Sequence, residues 1–145
     1  LVSPAHAENF SLPYLKRLVE QIRVANRRSV LHNCGRIEHL VPLLLELDID
    51  GLSVGSRTDL AALAKVVPEK MGLYGNLDPT ELFVNARPAQ TAAATTNLLT
   101  AMAGRRNFIL STGCDLPPNL CHENLRAFFA AARIFPYRME EARSA

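Results

Sequence analysis

Ser29-Val30-Leu31-His32-Asn33-Cys34-Gly35 opens as a short β-prone run and ends in polar residues and a glycine, the pattern of a strand running into a loop. Apolar residues between Ile37 and Leu47 then return at helical spacing, with Pro42 tolerable only near the first turns of that helix. Upstream, Ser3-Pro4 is a helix-start signal: a serine cap followed by proline in the first turn. Behind it Leu12, Leu15, Leu18, Val19 and Ile22 recur at helical spacing, and Pro13 kinks the segment or restarts it with Ser11 as a second cap.

The same strand-to-helix alternation continues downstream. Gly51-Leu52-Ser53-Val54 is a second strand closed by Gly55-Ser56, and Thr58 or Asp59 caps a helix reaching about residue 67. Lys70-Met71-Gly72-Leu73-Tyr74 reads as a third strand ending at Gly75-Asn76. Asp78-Pro79 starts a short helix, and residues 88–102 carry a longer one that the Ala- and Thr-rich composition from Ala92 onward is expected to shorten. Asn107-Phe108-Ile109-Leu110-Ser111 is a fourth strand, and residues 123–133 form a last helix with Leu125, Phe128, Phe129 and Ala132 on its apolar face. Alternation of this kind means a parallel sheet with crossover helices. About four such units are half of what closes a barrel, and alone they leave two strand edges unpaired and an inner wall with nothing opposite. The expectation is an α/β chain, residues 1–145 forming one partial domain, half of a (β/α)8 TIM barrel. A flavodoxin-like open sheet is the alternative.

Composition narrows the function. The chain has 145 residues, 48% hydrophobic and 21% charged, which is ordinary for one globular domain. A net charge of +2 is too small to suggest nucleic acid or an anionic membrane surface. The basic pairs Arg27-Arg28 and Arg105-Arg106 sit before strands and read as solvated loops. No apolar run reaches the roughly 18 residues of a spanning helix; residues 40–47 are interrupted by Pro42 and Glu46. Leu1-Val2-Ser3-Pro4 lacks both the basic start and the apolar region of a secretory signal, and without an initiator Met the chain is expected to begin inside a longer protein. Three cysteines are an odd number that fits free thiols in a reducing cytoplasm better than a disulfide framework.

The unusual residues all follow strand ends: His32-Asn33-Cys34-Gly35, Gly55-Ser56, Gly75-Asn76-Leu77-Asp78 and Gly113-Cys114-Asp115. That edge of a parallel α/β fold hosts chemistry, because loops converge there above a rigid scaffold. His32 and Cys34 lie two apart and project on one face, and Cys114 follows the fourth strand at the same end. Two thiolates and an imidazole suit zinc, and three protein ligands with a fourth position open describe a catalytic site. Spacing alone also allows buried cysteines acting as small hydrophobes and a histidine that only hydrogen-bonds. Glycines beside both thiols, Gly35 and Gly113, favour close approach of backbone and ligand. Cys121 has no such neighbour and reads as incidental to the site. Asp78, before a proline, is a helix cap or a pocket residue. Ser53 faces the pocket or pairs with backbone, and Arg57 is solvated or meets an anionic substrate group.

Val30-Leu31-His32-Asn33-Cys34-Gly35, Asp50-Gly51-Leu52-Ser53-Val54, Tyr74-Gly75-Asn76-Leu77-Asp78-Pro79 and Ile109-Leu110-Ser111-Thr112-Gly113-Cys114-Asp115-Leu116-Pro117-Pro118 resemble successive motifs of the uroporphyrinogen-decarboxylase superfamily, in the order of its C-terminal half. Within it, His32, Cys34 and Cys114 match the zinc ligands of the cobamide-dependent methyltransferase branch. Cys114 stands where the decarboxylase branch typically carries a histidine. The resemblance implies Zn2+ held by these three residues. It also implies a methylated corrinoid, free or carried by a corrinoid protein, as methyl donor, and a small thiol such as coenzyme M as acceptor. It puts Asn76 and Asp78 at the barrel mouth, where Ser53 is the third substrate-binding candidate. The alternatives are a decarboxylase acting on tetrapyrrole carboxylates and a non-catalytic half-barrel that pairs with an N-terminal half or a second copy of itself.

Overall fold

Strands β1 (Val30–Asn33), β2 (Gly51–Val54), β3 (Gly72–Leu77) and β4 (Phe108–Thr112) make one parallel sheet in the order β1-β2-β3-β4. The computed structural model describes residues 2–136, so Leu1 of the N-terminal stretch lies outside the described residues. Each strand pairs with the one before it in sequence, as in a barrel wall. A flavodoxin-like sheet instead places a later strand on the far side of the first. Strand order therefore sets the open-sheet alternative aside.

The helices are α1 (Pro4–His6), α2 (Leu12–Val24), α3 (Val41–Leu44), α4 (Leu60–Leu63), α5 (Pro88–Ala101) and α6 (His122–Ile134), with π-helical turns at Ala7–Ser11 and Glu81–Asn85. Register explains where they pack. Leu31, Leu52, Leu73 and Phe108 are partners across the four strands, and partners in a parallel sheet share a face. Leu52 and Leu73 have no exposed surface and join Leu12, Val19, Val41, Leu44, Leu60 and Leu63 in the main core. Burying each such leucine is worth about 1.5–3 kcal/mol. The next row, His32, Ser53, Tyr74 and Ile109, lies on the opposite face, which carries the exposed Val30 and Ile109. A smaller core joins Leu77, Phe83 and Phe128, with the Phe83 and Phe128 rings edge to face at 5.6 Å.

Several local expectations shift. Ser3 does cap α1, its Oγ accepting from the His6 N–H, but the Ser11 side chain caps nothing, and α2 grows directly out of the π-helical turn. Residues 37–47 contain only the short α3, which has Pro42 in its first turn as proline requires. Asp59, not Thr58, caps α4, taking the Ala62 N–H at 2.9 Å. That helix stops at Leu63 rather than near residue 67, and the residues after it close as tighter turns, with Lys65 N–H and Val66 N–H donating three residues back. β3 starts two residues later than the sequence suggests and runs on to Leu77. Nor is α5 shortened: the hydroxyls of Thr95, Thr96 and Thr100 donate to carbonyls one turn back and so stay inside the helix. Among the described residues no helix is long and apolar enough to cross a membrane.

Candidate metal centre

β1 carries His32 to the end of the sheet, and Cys34 follows one residue past the strand. β1 and β4 are the two edges of the sheet, yet the loop after β4 brings Cys114 Sγ to 3.3 Å from Cys34 Sγ. His32 Nε2 lies 2.9 Å from Cys34 Sγ. One donor atom from each of the three residues lies within 4.8 Å of the others, and all three residues are exposed. Among the described residues this is the only such group of histidine, cysteine and carboxylate side chains. The sequence reading thus brings together residues 80 positions apart.

The ring orientation of His32 has a cause that sequence reasoning missed. Its register partner Ser53 presents Oγ 2.9 Å from His32 Nδ1. With the proton on Nδ1 donated to Ser53, Nε2 is left as a lone-pair donor aimed at the thiols. The signal was available: two strands of equal length put the third residue of β1 beside the third residue of β2. Contact with Cys114, then desolvation, then the negative charge of Cys114 and Asp115 hold the Cys34 thiol above its ordinary range.

The donor set fits zinc. Tetrahedral bonds of about 2.3 Å to sulfur put two thiolates about 3.8 Å apart. The thiols at 3.3 Å therefore need to open by only about half an ångström. Two clefts flank the cluster. One of about 990 Å³ is lined by Cys34, Gly35, Arg36, His39 and Arg57. The other, about 430 Å³, is lined by His32, Ser53, Ser111, Cys114 and Asp115.

The remaining sequence candidates divide. Ser53 faces the smaller cleft. Asn76 donates both amide protons inward, to the carbonyls of Gly55 at 3.0 Å and Thr58 at 2.7 Å. Asp78 accepts from Thr80 N–H and Glu81 N–H, each at 2.9 Å, so the cap reading is present, and its other oxygen accepts from Ser56 Oγ at 3.0 Å. Burial pushes the Asp78 carboxyl up, but donation from Glu81, Ser56 and Thr80 and the charge of Arg57 together outweigh it and leave the group below the usual carboxylate range. Cys121 stays outside the cluster, its thiol donating to Glu123 Oε2 at 3.1 Å.

A partial (β/α)8 barrel with a cysteine-histidine cluster at the C-terminal ends of its strands is the class of molecule these features define. The chain belongs to the uroporphyrinogen decarboxylase (URO-D) family, whose profile matches residues 1–135. Among curated proteins it is 28% identical over 137 residues to the methylcobamide:CoM methyltransferase MtbA of Methanosarcina acetivorans, covering 94% of this chain and 39% of that protein. It is also 31% identical over 124 residues to the uroporphyrinogen decarboxylase of Dichelobacter nodosus, covering 86% of this chain and 35% of that one. A methyltransferase from Methanosarcina mazei has the same fold, with a TM-score of 0.78 at 22% identity over 92% of this chain and 38% of the other. The chain spans about two fifths of the length of these relatives.

Proposed function

We propose that the chain is the metal-binding portion of a cytoplasmic methyltransferase that moves a methyl group from a methylated corrinoid to a small thiol. The observation that carries this reading is the convergence of His32, Cys34 and Cys114 within 4.8 Å. These three residues would hold Zn2+ through one imidazole nitrogen and two sulfurs, the three-ligand kind of set that catalytic zinc sites use. When bound, the ion supplies Lewis acidity that keeps a substrate thiol deprotonated at neutral pH, where a free thiol is mostly protonated.

The chain's own groups do the rest. Ser53 fixes the His32 ring so that Nε2 points at the cluster. As thiolates, Cys34 and Cys114 would balance the charge of a divalent ion, with His32 contributing an uncharged nitrogen. The two flanking clefts give donor and acceptor separate approaches to one cluster. Arg36 and Arg57 in the larger one supply positive charge for an anionic end of the thiol, and Ser53 lines the smaller one. Asn76 and Asp78 serve the substrate mouth through the loop they hold.

The decarboxylase reading draws on relatives such as the Dichelobacter nodosus enzyme, but it gives the paired thiols no task. Metal quantification separates the two. Purified wild-type chain is expected to hold one zinc, and His32→Ala, Cys34→Ala and Cys114→Ala to lose it or bind it weakly. Zinc-free wild-type protein in zinc-containing medium, with Cys34→Ala harmless, removes the methyltransferase reading. The fragment reading is met by whether the isolated chain also transfers methyl groups from methylcobalamin to a thiol.

A further inference from the structure

We infer that residues 55–58 are a template that sets the distance between the two cluster thiols, and that Asn76 and Asp78 are positioning residues that hold it. The inference rests on the Cys34–Cys114 cluster of the proposed function, though not on its metal.

The problem it solves is topological. Cys34 follows one edge of the sheet and Cys114 the other, with two strands between them, and no hydrogen bond joins their backbones directly. What lies between them is the Gly55–Ser56 peptide. A Cβ on Gly55 would collide with the backbone carbonyl of Cys34, and one on Gly113 would collide with the backbone nitrogen of Ser56. The peptide is therefore sandwiched by the two cysteine-bearing segments in direct backbone contact. Its thickness sets how near they come, and only glycine permits contact on either side.

Such a spacer works only if it cannot move, and hydrogen bonds tie it down on both sides. Gly55 N–H donates to Asn33 O at 2.9 Å, and Thr58 N–H closes the turn on Gly55 O at 3.1 Å. Asn76 bridges both ends of the turn with its two amide protons. Thr58 Oγ1 reaches Gly35 O at 3.3 Å, tying the loop to the Cys34 side. Ser56 donates to Asp78, and Gly113 N–H donates to Leu77 O at 2.7 Å, tying the Cys114 side to the end of β3. Thr112 Oγ1 donates to Cys114 O at 2.7 Å. Asn76 and Asp78 touch neither thiol; they act through the loop.

The test uses the whole chain, metal-free, and asks how readily the thiols meet. Diamide oxidises the pair: an S–S bond forms between Cys34 and Cys114 while the diazene takes up the two electrons and two protons. The rate is followed by mass spectrometry, with Cys121 alkylation as the control for general exposure. Ser56→Ala and Asp78→Asn are expected to slow this closure several-fold and to weaken zinc binding several-fold as well. Ser56→Thr, which keeps the hydroxyl, is expected to behave like wild type, and Cys121 reactivity to stay constant throughout. A chain that binds no zinc yet follows this disulfide pattern leaves the template standing and removes the methyltransferase reading. A lowered Tm in Ser56→Ala and Asp78→Asn, with unchanged closure rate and zinc affinity in the folded protein, overturns the inference.

Discussion

At the residue scale, one hydroxyl outside the three-residue cluster orients its histidine. His32 can offer Nε2 to a metal only if Nδ1 keeps the proton, and Ser53 Oγ at 2.9 Å is its partner. Ser53→Ala is expected to weaken zinc binding about tenfold or more without disturbing the sheet, whereas Cys121→Ala leaves affinity unchanged; competition with a zinc-binding dye measures both. Equal losses in the two variants would mean that fold, not ring orientation, governs the site. Arg57 offers a second check, because it lines the cleft beside Cys34 and is exposed. Arg57→Ala in the zinc-loaded chain is expected to weaken calorimetrically measured binding of an anionic thiol by a few-fold, the scale of an exposed ion pair. A neutral thiol of similar size should bind as before. His32, Cys34 and Cys114 were legible in the sequence because strand ends are visible as breaks from apolar runs into Gly, Asn and Cys. The hydrogen bonds of Asn76 and the close packing at Gly55 were not, since each depends on a neighbour about 20 residues away, and the contact of Ser53 with His32 could have been read only by aligning the first two strands.

At the element scale, strand existence was legible and strand phase was not. Lys70-Met71 reads as β-prone, yet pairing starts only at Gly72, whose N–H donates to Asp50 O at 2.8 Å. Local propensity is a weak guide to which residue a neighbouring strand will meet. The same Asp50 pins the start of β2 to the start of β1: its carboxylate accepts from the Arg28 guanidinium at 2.5 Å and from the buried Ser29 N–H at 2.8 Å. Arg28 first, and Ser29 second, hold the Asp50 carboxyl below its ordinary range. A carboxyl with a lowered folded-state pKa stabilises the fold above its unfolded value, about 3.9, and loses that contribution as pH falls through the folded value. The Tm gap between wild type and Asp50→Asn is therefore expected to be constant from about pH 8 to about pH 5 and to close below about pH 4. A gap that persists at low pH would assign it to shape rather than charge. Arg28 is almost wholly exposed, so its share is the screened one, and moderate salt should narrow the gap only in part.

For the whole molecule, the two faces of the sheet pose opposite demands. The helix-side face is complete: Leu73 is fully buried among α2, α3 and α4 residues, and Leu73→Ala is expected to cost about 2–5 kcal/mol. The other face presents Val30 at 49% and Ile109 at 40% exposure in the same surface as His32 and Ser53. A barrel wall has to cover such residues, because inward-pointing side chains pack against strands opposite. Alternation of elements made this wall legible, whereas the partner of its exposed face is not among the four strands of the described residues. Ile109→Ser turns this into a measurement. In the chain alone Ile109 is already 40% exposed, so the substitution removes only part of a side chain's buried surface, and the unfolding free energy from urea titration is expected to fall by about 1 kcal/mol. In a polypeptide that also supplies strands opposite, the same change places a hydroxyl in a packed interior and is expected to cost about 2 kcal/mol or more. A large cost in the isolated chain would mean that Ile109 is already covered, by a second copy or by a segment folded over the sheet. Concentration dependence of the midpoint tells these apart, since only association makes stability rise with protein concentration.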